Sequence, residues 1–241
     1  MRQHVKIRAS LMALALSVLT TPSRAFDPPD SEINEVSGNI EIVDAVSVPS
    51  GYRIRHIIND GDGEPPAVFF LTPGSFDEGS PRIEVDSNGN TWVTWWRDGQ
   101  HDEVLVRKKS LSTGIWSDEQ VISATNEESR NPEIVDDGVH VWVAYEIIQP
   151  TGTIIAVGVI NDEPDPFGSH IASTPNTGVV DLMIHHESQQ LWVTWIDGAS
   201  HVGWCERDST SGEWGTVNLE SYASDDVSAA RQRIKALLLS N

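Results

Sequence analysis

The chain has 241 residues, with 36 Asp and Glu against 16 Lys and Arg, which gives a formal net charge of −20. Such a surface repels the phosphates of nucleic acids and anionic membranes, so it excludes nucleic acid as an expected partner. The single cysteine, Cys205, excludes an intrachain disulfide, so the fold has to be held by its hydrophobic core.

The first 25 residues have the pattern of a secretory signal peptide. Basic residues precede an apolar stretch over residues 11–19, and small residues that suit signal cleavage end the segment at Ala25. The apolar stretch is too short for a permanent membrane helix, and a buried N-terminal helix is the alternative interpretation. We therefore expect a secreted or periplasmic protein with no membrane span after cleavage. Residues 26–38 are predicted to form a flexible linker.

A repeat of about 50 residues dominates the remaining chain. Trp92, Trp142 and Trp192 are spaced by 50 residues in similar strand-like segments. Each segment follows a shorter apolar segment and a turn rich in Asp, Asn, Gly, Ser or Gln, and a third apolar segment comes after it. In each repeat, an aromatic residue followed by a small one marks the start of a predicted fourth strand. Four antiparallel strands recurring at about 40 to 50 residues are typical of β-propeller blades.

The sequence thus predicts an all-β fold, a small β-propeller of about four four-stranded antiparallel blades over residues 39–224. The blades are expected at residues 39–75, 80–126, 131–176 and 178–224. The repeated tryptophans are predicted to pack between blades, with a sugar-stacking platform as the alternative. About four blades is close to the minimum for a ring, so the ring could be incomplete or completed by an oligomer.

The last residues have a different pattern. Acidic residues at 225 and 226 can cap a helix, and apolar residues recur after them at helical spacing. We therefore predict an amphipathic C-terminal helix over residues 225–241.

One segment of the second repeat carries a family resemblance. Residues 85–95 read Val-Asp-Ser-Asn-Gly-Asn-Thr-Trp-Val-Thr-Trp, and Trp116 and Ser117 follow on an outer strand. This pattern resembles the sialidase-like propellers with bacterial neuraminidase repeats, and the resemblance covers residues 80–220. It departs from the family's Asp-box, because Asp86 lies three residues before Gly89 rather than two. The catalytic arginine and Tyr–Glu motifs of sialidases are not found, so the resemblance implies a fold and no catalytic residues.

Two sets of polar residues are candidates for a ligand site. Arg82, Glu133 and Asp181 open the innermost strands of three repeats and are expected to converge near one mouth of the central channel. They would form a polar ligand or cation site, or a ring of charges that compensate one another. The second set lies at hairpin tips and comprises Arg97, His101, Asp197 and His201. A carboxylate near a histidine could act as a base and its orienting group, although Asp-Gly is also an ordinary hairpin turn.

A third candidate is an acidic loop. Asp60, Asp62 and Glu64 occupy every second position, with glycines between them, as oxygen ligands do in calcium loops. An acidic turn without metal explains the pattern equally well. Calcium is the one cofactor that the sequence suggests.

Three functions remain open at this point. The sequence favours a secreted, non-catalytic binding or interaction module for a glycan or another extracytoplasmic protein, because export and repeats occur without a recognisable catalytic set. The first alternative is a sialidase-like glycoside hydrolase that uses channel acids such as Glu133 and Asp181, and strongly raised carboxyl pKa values would favour it. The second is a structural or assembly role as a homo-oligomer, whose partner would cover open sheet edges.

Overall fold

The computed structural model describes residues 29–160, 169–174, 179–187, 190–197, 201–208 and 211–221. Within these ranges the chain is all-β, and its strands form four antiparallel sheets of four strands each. The predicted class and the four-stranded repeats are therefore confirmed. The predicted signal peptide (1–25) and C-terminal helix (225–241) lie outside the described residues. In the part of the chain that the structure describes, no helix has the length and apolarity needed to cross a membrane.

The four sheets, A to D, follow one another along the chain, and within each sheet the strands pair in chain order. Sheet A contains β1 (Asp30–Ile33), β2 (Ile40–Val48), β3 (Gly51–Asn59) and β4 (Ala67–Phe70). Sheet B contains β5 (Glu78–Val85), β6 (Thr91–Arg97), β7 (Glu103–Lys109) and β8 (Gln120–Val121). Sheet C contains β9 (Glu128–Asp136), β10 (Val141–Gln149), β11 (Gly152–Ile160) and β12 (Ser169–Thr174). Sheet D contains β13 (Val179–Glu187), β14 (Gln190–Asp197), β15 (His201–Arg207) and β16 (Asn218–Ser221).

The second strand of every sheet is anchored by the same buried valine. Val43, Val93, Val143 and Val193 are spaced by 50 residues, and all four are fully buried. Sheet A shares the spacing but not the orientation: Val43 packs against the sheet that follows it, whereas Val93, Val143 and Val193 pack against the sheet that precedes theirs. Ile42, at the position of the repeated tryptophan, lies on the other face of β2 and is only half-buried, so no core between sheets requires an indole there.

Sheet A begins earlier than the sequence indicates. Residues 30–33, expected within the flexible linker, form β1 and pair with β2 from Asp30 opposite Val43 to Ile33 opposite Ile40. The Asp30 carboxylate also accepts a 2.9 Å hydrogen bond from the backbone N–H of Ile83 in sheet B. These tertiary contacts order a segment whose local composition favours coil, and for that reason the linker prediction was wrong over residues 30–33.

Neighbouring sheets pack face to face through three hydrophobic cores. Sheets A and B enclose Trp95, sheets B and C enclose Trp92 and Tyr145, and sheets C and D enclose Trp142 and Trp195. Trp92 and Trp142 thus pack between sheets, as predicted from their spacing. In β6 and β10 the second aromatic, three residues later, packs in the core on the opposite face, because strand side chains alternate between faces.

The turns before Trp92 and Trp142 fix the rings of these two residues. In sheet B the indole N–H of Trp92 donates a 2.9 Å hydrogen bond to Asp86 Oδ2, and in sheet C that of Trp142 donates a 2.7 Å bond to Asp137 Oδ2. Asp86 also accepts the backbone N–H of Asn88, and Gly89 completes the turn with a φ of 78°. The motif that resembles an Asp-box therefore has a structural role in a hairpin.

Candidate functional site

The sheets present two ends with different loops. At the upper end of each sheet the first strand begins and the second strand turns into the third; at the lower end the first strand turns into the second. The antiparallel order places Arg97, His101, Asp197 and His201 at the upper end and the acidic loop of residues 60–64 at the lower end. The candidate ligand residues and the candidate calcium loop are therefore separated by the length of a strand.

Arg82 and Glu133 meet at the inner edge of sheets B and C. The Nε of Arg82 donates a 2.6 Å hydrogen bond to Glu133 Oε1, and each side chain is 21% exposed. The sequence predicted that these charges would converge, and the structure brings these two together. The pair joins the first strands of two neighbouring sheets, so a ligand bound there would contact both sheets.

A β-bulge precedes each member of this ion pair. β5 is bulged between Gly79 and Arg82, and the register of β10 against β9 shifts next to Asn131. Ser80 and Asn131, each followed by proline, have positive φ values of 46° and 50°. The Ser80 hydroxyl lies 3.2 Å from Asn131 Oδ1, to which it donates. Bulges re-aim the side chains that follow them, and residues with positive φ outside glycine are concentrated at functional sites.

Asp181 does not occupy the position that the sequence predicted. Arg82 and Glu133 pair with the residue two places after the repeated tryptophan of β6 and β10. In β14 that residue is Thr194, and it pairs with Met183 rather than with Asp181. The predicted equivalence of Asp181 was wrong, because Asp181 pairs with Ile196 and lies two residues further from the β13–β14 hairpin than the position that matches Arg82 and Glu133.

The hairpin-tip residues form local ion pairs. Arg97 donates to Glu119 at 2.8 Å and to Glu103 at 3.4 Å, and its guanidinium lies 5.2 Å from the centre of the Phe76 ring. Asp197 and His201 are paired residues across the β14–β15 hairpin, as the turn interpretation predicts. The structure therefore leaves Arg97 outside the Arg82–Glu133 pair.

His101 does have a carboxylate neighbour, but from the next repeat. Its Nδ1 lies 3.1 Å from Glu128 Oε1, at the start of β9. The backbone N–H of Asp102, and then the His101 ring, lower the pKa of Glu128. Sequence reasoning missed Glu128, because a residue 27 positions away becomes a neighbour only when the sheets pack.

Glu84, two residues after Arg82 on β5, is a second residue that the sequence did not single out. Burial, and then the neighbouring carboxylates of Glu32, Asp136 and Asp30, raise its pKa to about 9 from 4.5. These acids lie on or at the ends of the innermost strands β1, β5 and β9. Glu84 therefore stays protonated at neutral pH. A carboxyl with this shift is a candidate proton donor, as the hydrolase alternative requires.

Glu78, the first residue of β5, is buried between sheets A and B. Burial raises its pKa to about 7, although the hydroxyl of Thr72 donates to it and Arg97 acts in the opposite direction. Among the described residues, its Oε1 has no hydrogen-bond partner. The charged form of Glu78 therefore destabilises the folded protein.

We expect the replacement Glu78→Gln to stabilise the protein at pH 8 by about 2 kcal/mol, since one pKa unit corresponds to roughly 1.4 kcal/mol. The folded protein holds the proton more tightly than the unfolded chain, so wild-type stability falls as the pH rises from 4.5 to about 7. Urea unfolding at pH 5 and pH 8 measures the effect. A gain of equal size at both pH values would contradict the assigned protonation.

The acidic loop at the lower end uses its side chains in turns. Asn59, Asp60 and Asp62 each accept a hydrogen bond from the backbone N–H two residues later, at 2.8 to 3.2 Å. Over the residues described, no group of three or more acidic, histidine or cysteine side chains is arranged to hold a metal ion. Calcium binding by Asp60, Asp62 and Glu64 stays a prediction.

No protein-family model and no curated protein matches the chain. Among solved structures it is similar to a polysaccharide lyase of family PL25, an ulvan lyase, with a TM-score of 0.56 at 11% identity over 81% of this chain and 59% of that one. A protein of unknown function from Dyadobacter fermentans gives 0.53 at 13% identity over 70% of this chain and 48% of that one. An exo-1,5-α-L-arabinanase from a bovine ruminal metagenomic library gives 0.50 at 14% identity over 81% of this chain and 78% of that one.

These likenesses concern the fold. The chain spans 48% and 59% of the lengths of two of these proteins, so it corresponds to part of each. They support a β-propeller architecture, and they do not point to the sialidase-like propellers in particular. The chain therefore has a β-propeller type of fold built from four-stranded antiparallel sheets, shared with polysaccharide-degrading enzymes.

Proposed function

We propose that the protein is an exported glycan-binding protein that holds a polysaccharide around Arg82 and Glu133, where the first strands of sheets B and C meet. The observation that carries the proposal is the partly exposed ion pair between these two residues, which joins two innermost strands directly after two bulges. A guanidinium donates several hydrogen bonds and a carboxylate accepts several, so the pair offers both partners that sugar hydroxyls need.

The comparison with solved structures supports the same class of ligand. Two of the similar structures are an arabinanase and an ulvan lyase, and both names describe action on a polysaccharide. The predicted signal peptide supports an extracytoplasmic place for this activity. We propose binding without cleavage as the primary function, because the candidate charges Arg82, Glu133 and Arg97 are engaged in ion pairs.

A glycan array that includes arabinan and ulvan fragments tests the proposal with residues 26–241, with and without calcium. We expect saturable binding to one glycan class, and we expect Arg82→Ala or Glu133→Gln to weaken it by about tenfold or more, since a lost hydrogen bond to a charged group costs about 1.5 to 3 kcal/mol. Asp62→Asn, at the lower end, is the matched control and should bind normally. Binding that is equally weak in the Asp62→Asn variant would place the site elsewhere.

A second function, polysaccharide cleavage, is favoured by Glu84 alone. A protonated carboxyl beside other carboxylates is the arrangement that a general acid needs to protonate a glycosidic oxygen. Assays for new reducing ends and for unsaturated products, on any glycan that the array selects, distinguish the two functions. Turnover that disappears in Glu84→Gln would establish cleavage, whereas binding without turnover would establish the primary proposal.

A further inference from the structure

The last strand of sheet A, β4 (Ala67–Phe70), has apolar side chains that lie in solvent. Val68, Phe69 and Phe70 are 50%, 43% and 53% exposed. Consecutive residues of a strand point to opposite faces, so both faces of this edge strand are uncovered. Uncovered apolar edges pair readily with other strands, and proteins usually protect them with charge or with short length.

The last strands of the other sheets have such protection. β8 has two residues, β12 carries serine, histidine and threonine, and β16 carries Glu220. β4 consists of Ala-Val-Phe-Phe and carries no polar side chain. Sheet A therefore exposes an edge that lacks the protection found on the other three sheets.

We propose that β4 pairs with β4 of a second copy of this chain, antiparallel and about a two-fold axis. Rotation about an axis normal to the sheet keeps each side chain on its own face, so directly opposed residues belong to the same face. With Val68 on the axis, Ala67 of each copy lies opposite Phe69 of the other, a small side chain against a large one. Such cross-strand pairs are the unit that stabilises a sheet.

The charges around β4 favour a second copy as the occupant. Asp60, Asp62 and Glu64, in the exposed loop before β4, form an acidic end. Arg53, whose guanidinium lies 5.3 Å from the centre of the Phe70 ring, gives the other end a positive charge. Antiparallel pairing brings the acidic end of each copy to the basic end of the other, twice by symmetry. These contacts offset part of the repulsion between two chains that each carry a net charge of −20.

The pairing is expected to be weak and reversible. It adds one short strand to each sheet, and stable protein interfaces bury about 1,200 to 2,000 Å² in total. The dimer should therefore form at high concentration and dissociate on dilution.

Sedimentation velocity of the mature chain over a range of concentrations tests this assembly. We expect the wild-type mass to rise from monomer toward dimer, and we expect Val68→Lys to remain monomeric throughout, because two lysines would meet on the axis. Leu219→Lys, at an equally exposed position on β16, is the matched control and should associate as the wild type does. Equal melting temperatures of the three proteins would confirm that the folds are intact.

Crosslinking provides a more sensitive measurement. The native Cys205 is buried, so a cysteine introduced by Val68→Cys would be the exposed thiol. Mild oxidation should give a disulfide-linked dimer that Leu219→Cys does not give to the same extent. A wild type that stays monomeric at the highest concentration, with no excess crosslinking of Val68→Cys, would overturn the proposal. A dimer that survives Val68→Lys would also overturn it, since another surface would then hold the copies together.

Discussion

Replacement of Glu41 by alanine is expected to lower the free energy of unfolding by about 3 to 5 kcal/mol, because each buried donor that loses its partner costs about 1 to 3 kcal/mol. Glu41 lies buried between sheets A and B. It accepts hydrogen bonds from Asn34 Nδ2 at 3.0 Å, Thr91 Oγ1 at 2.8 Å and His56 Nε2 at 2.8 Å. The truncation would remove the acceptor of all three bonds, although Asn34 Nδ2 would keep its 3.1 Å bond to the carbonyl oxygen of Gly89. Urea unfolding at neutral pH measures the loss.

The exposed Glu35→Ala provides the control in the same sheet and should stay within about 0.5 kcal/mol of the wild type.

The pKa of Glu41 also leads us to expect that stability depends on pH. Burial alone would raise its pKa, but the hydrogen bonds from His56, Asn34 and Thr91 outweigh burial and lower it to about 2 from 4.5. Its contribution is therefore complete above pH 4.5 and is lost as the pH falls toward 2. A Glu41→Gln variant whose stability changes between pH 4.5 and 2 as steeply as the wild type would contradict this role.

The replacement Gly203→Ala is expected to destabilise the protein by about 3 kcal/mol, at the upper end of the usual cost of overpacking. Gly203 pairs with Trp195 across β15 and β14. A Cβ at this position would overlap ring atoms of the fully buried Trp195. Because that ring is enclosed by sheets C and D, it cannot move aside without opening the core between them.

Gly99→Ala, in an exposed turn, is the matched control, and its new methyl group would meet one backbone oxygen at 3.2 Å. We expect its stability to stay within about 0.5 kcal/mol of the wild type. Urea unfolding of both variants, followed by tryptophan fluorescence, compares them directly. A Gly203→Ala variant as stable as Gly99→Ala would mean that the Trp195 ring is loosely packed.

The sequence predicted the strands correctly where the tryptophan pattern recurs. It missed the elements that are held in place by contacts between sheets. Strands around Trp92, Trp142 and Trp192 follow from constant spacing and local apolar pattern. The strand at residues 30–33 is held by Asp30, which contacts sheet B, and no local pattern reveals such a contact. Tertiary contacts of this kind override local preference.

The same distinction applies to the candidate site: residues marked by a local pattern were predicted, and residues whose properties depend on other strands were missed. Arg82 and Glu133 were predicted to converge because both open an innermost strand, and they form an ion pair. Asp181 follows the same local pattern, but it lies two residues further from its hairpin, opposite Ile196, and the local pattern does not show this register. Glu84 was missed because its raised pKa arises from burial and from carboxylates on other strands, and none of these is visible in the residues beside it.

Calorimetric titration of the mature wild type, Arg82→Ala and Asp62→Asn with the glycan selected by the array tests the central claim most directly. The claim is that the Arg82–Glu133 pair, between the first strands of sheets B and C, holds a polysaccharide. It predicts saturable binding by the wild type and by Asp62→Asn, with affinity at least about tenfold lower in Arg82→Ala. Unchanged affinity in a folded Arg82→Ala protein, or the absence of binding to any glycan on the array, would contradict it.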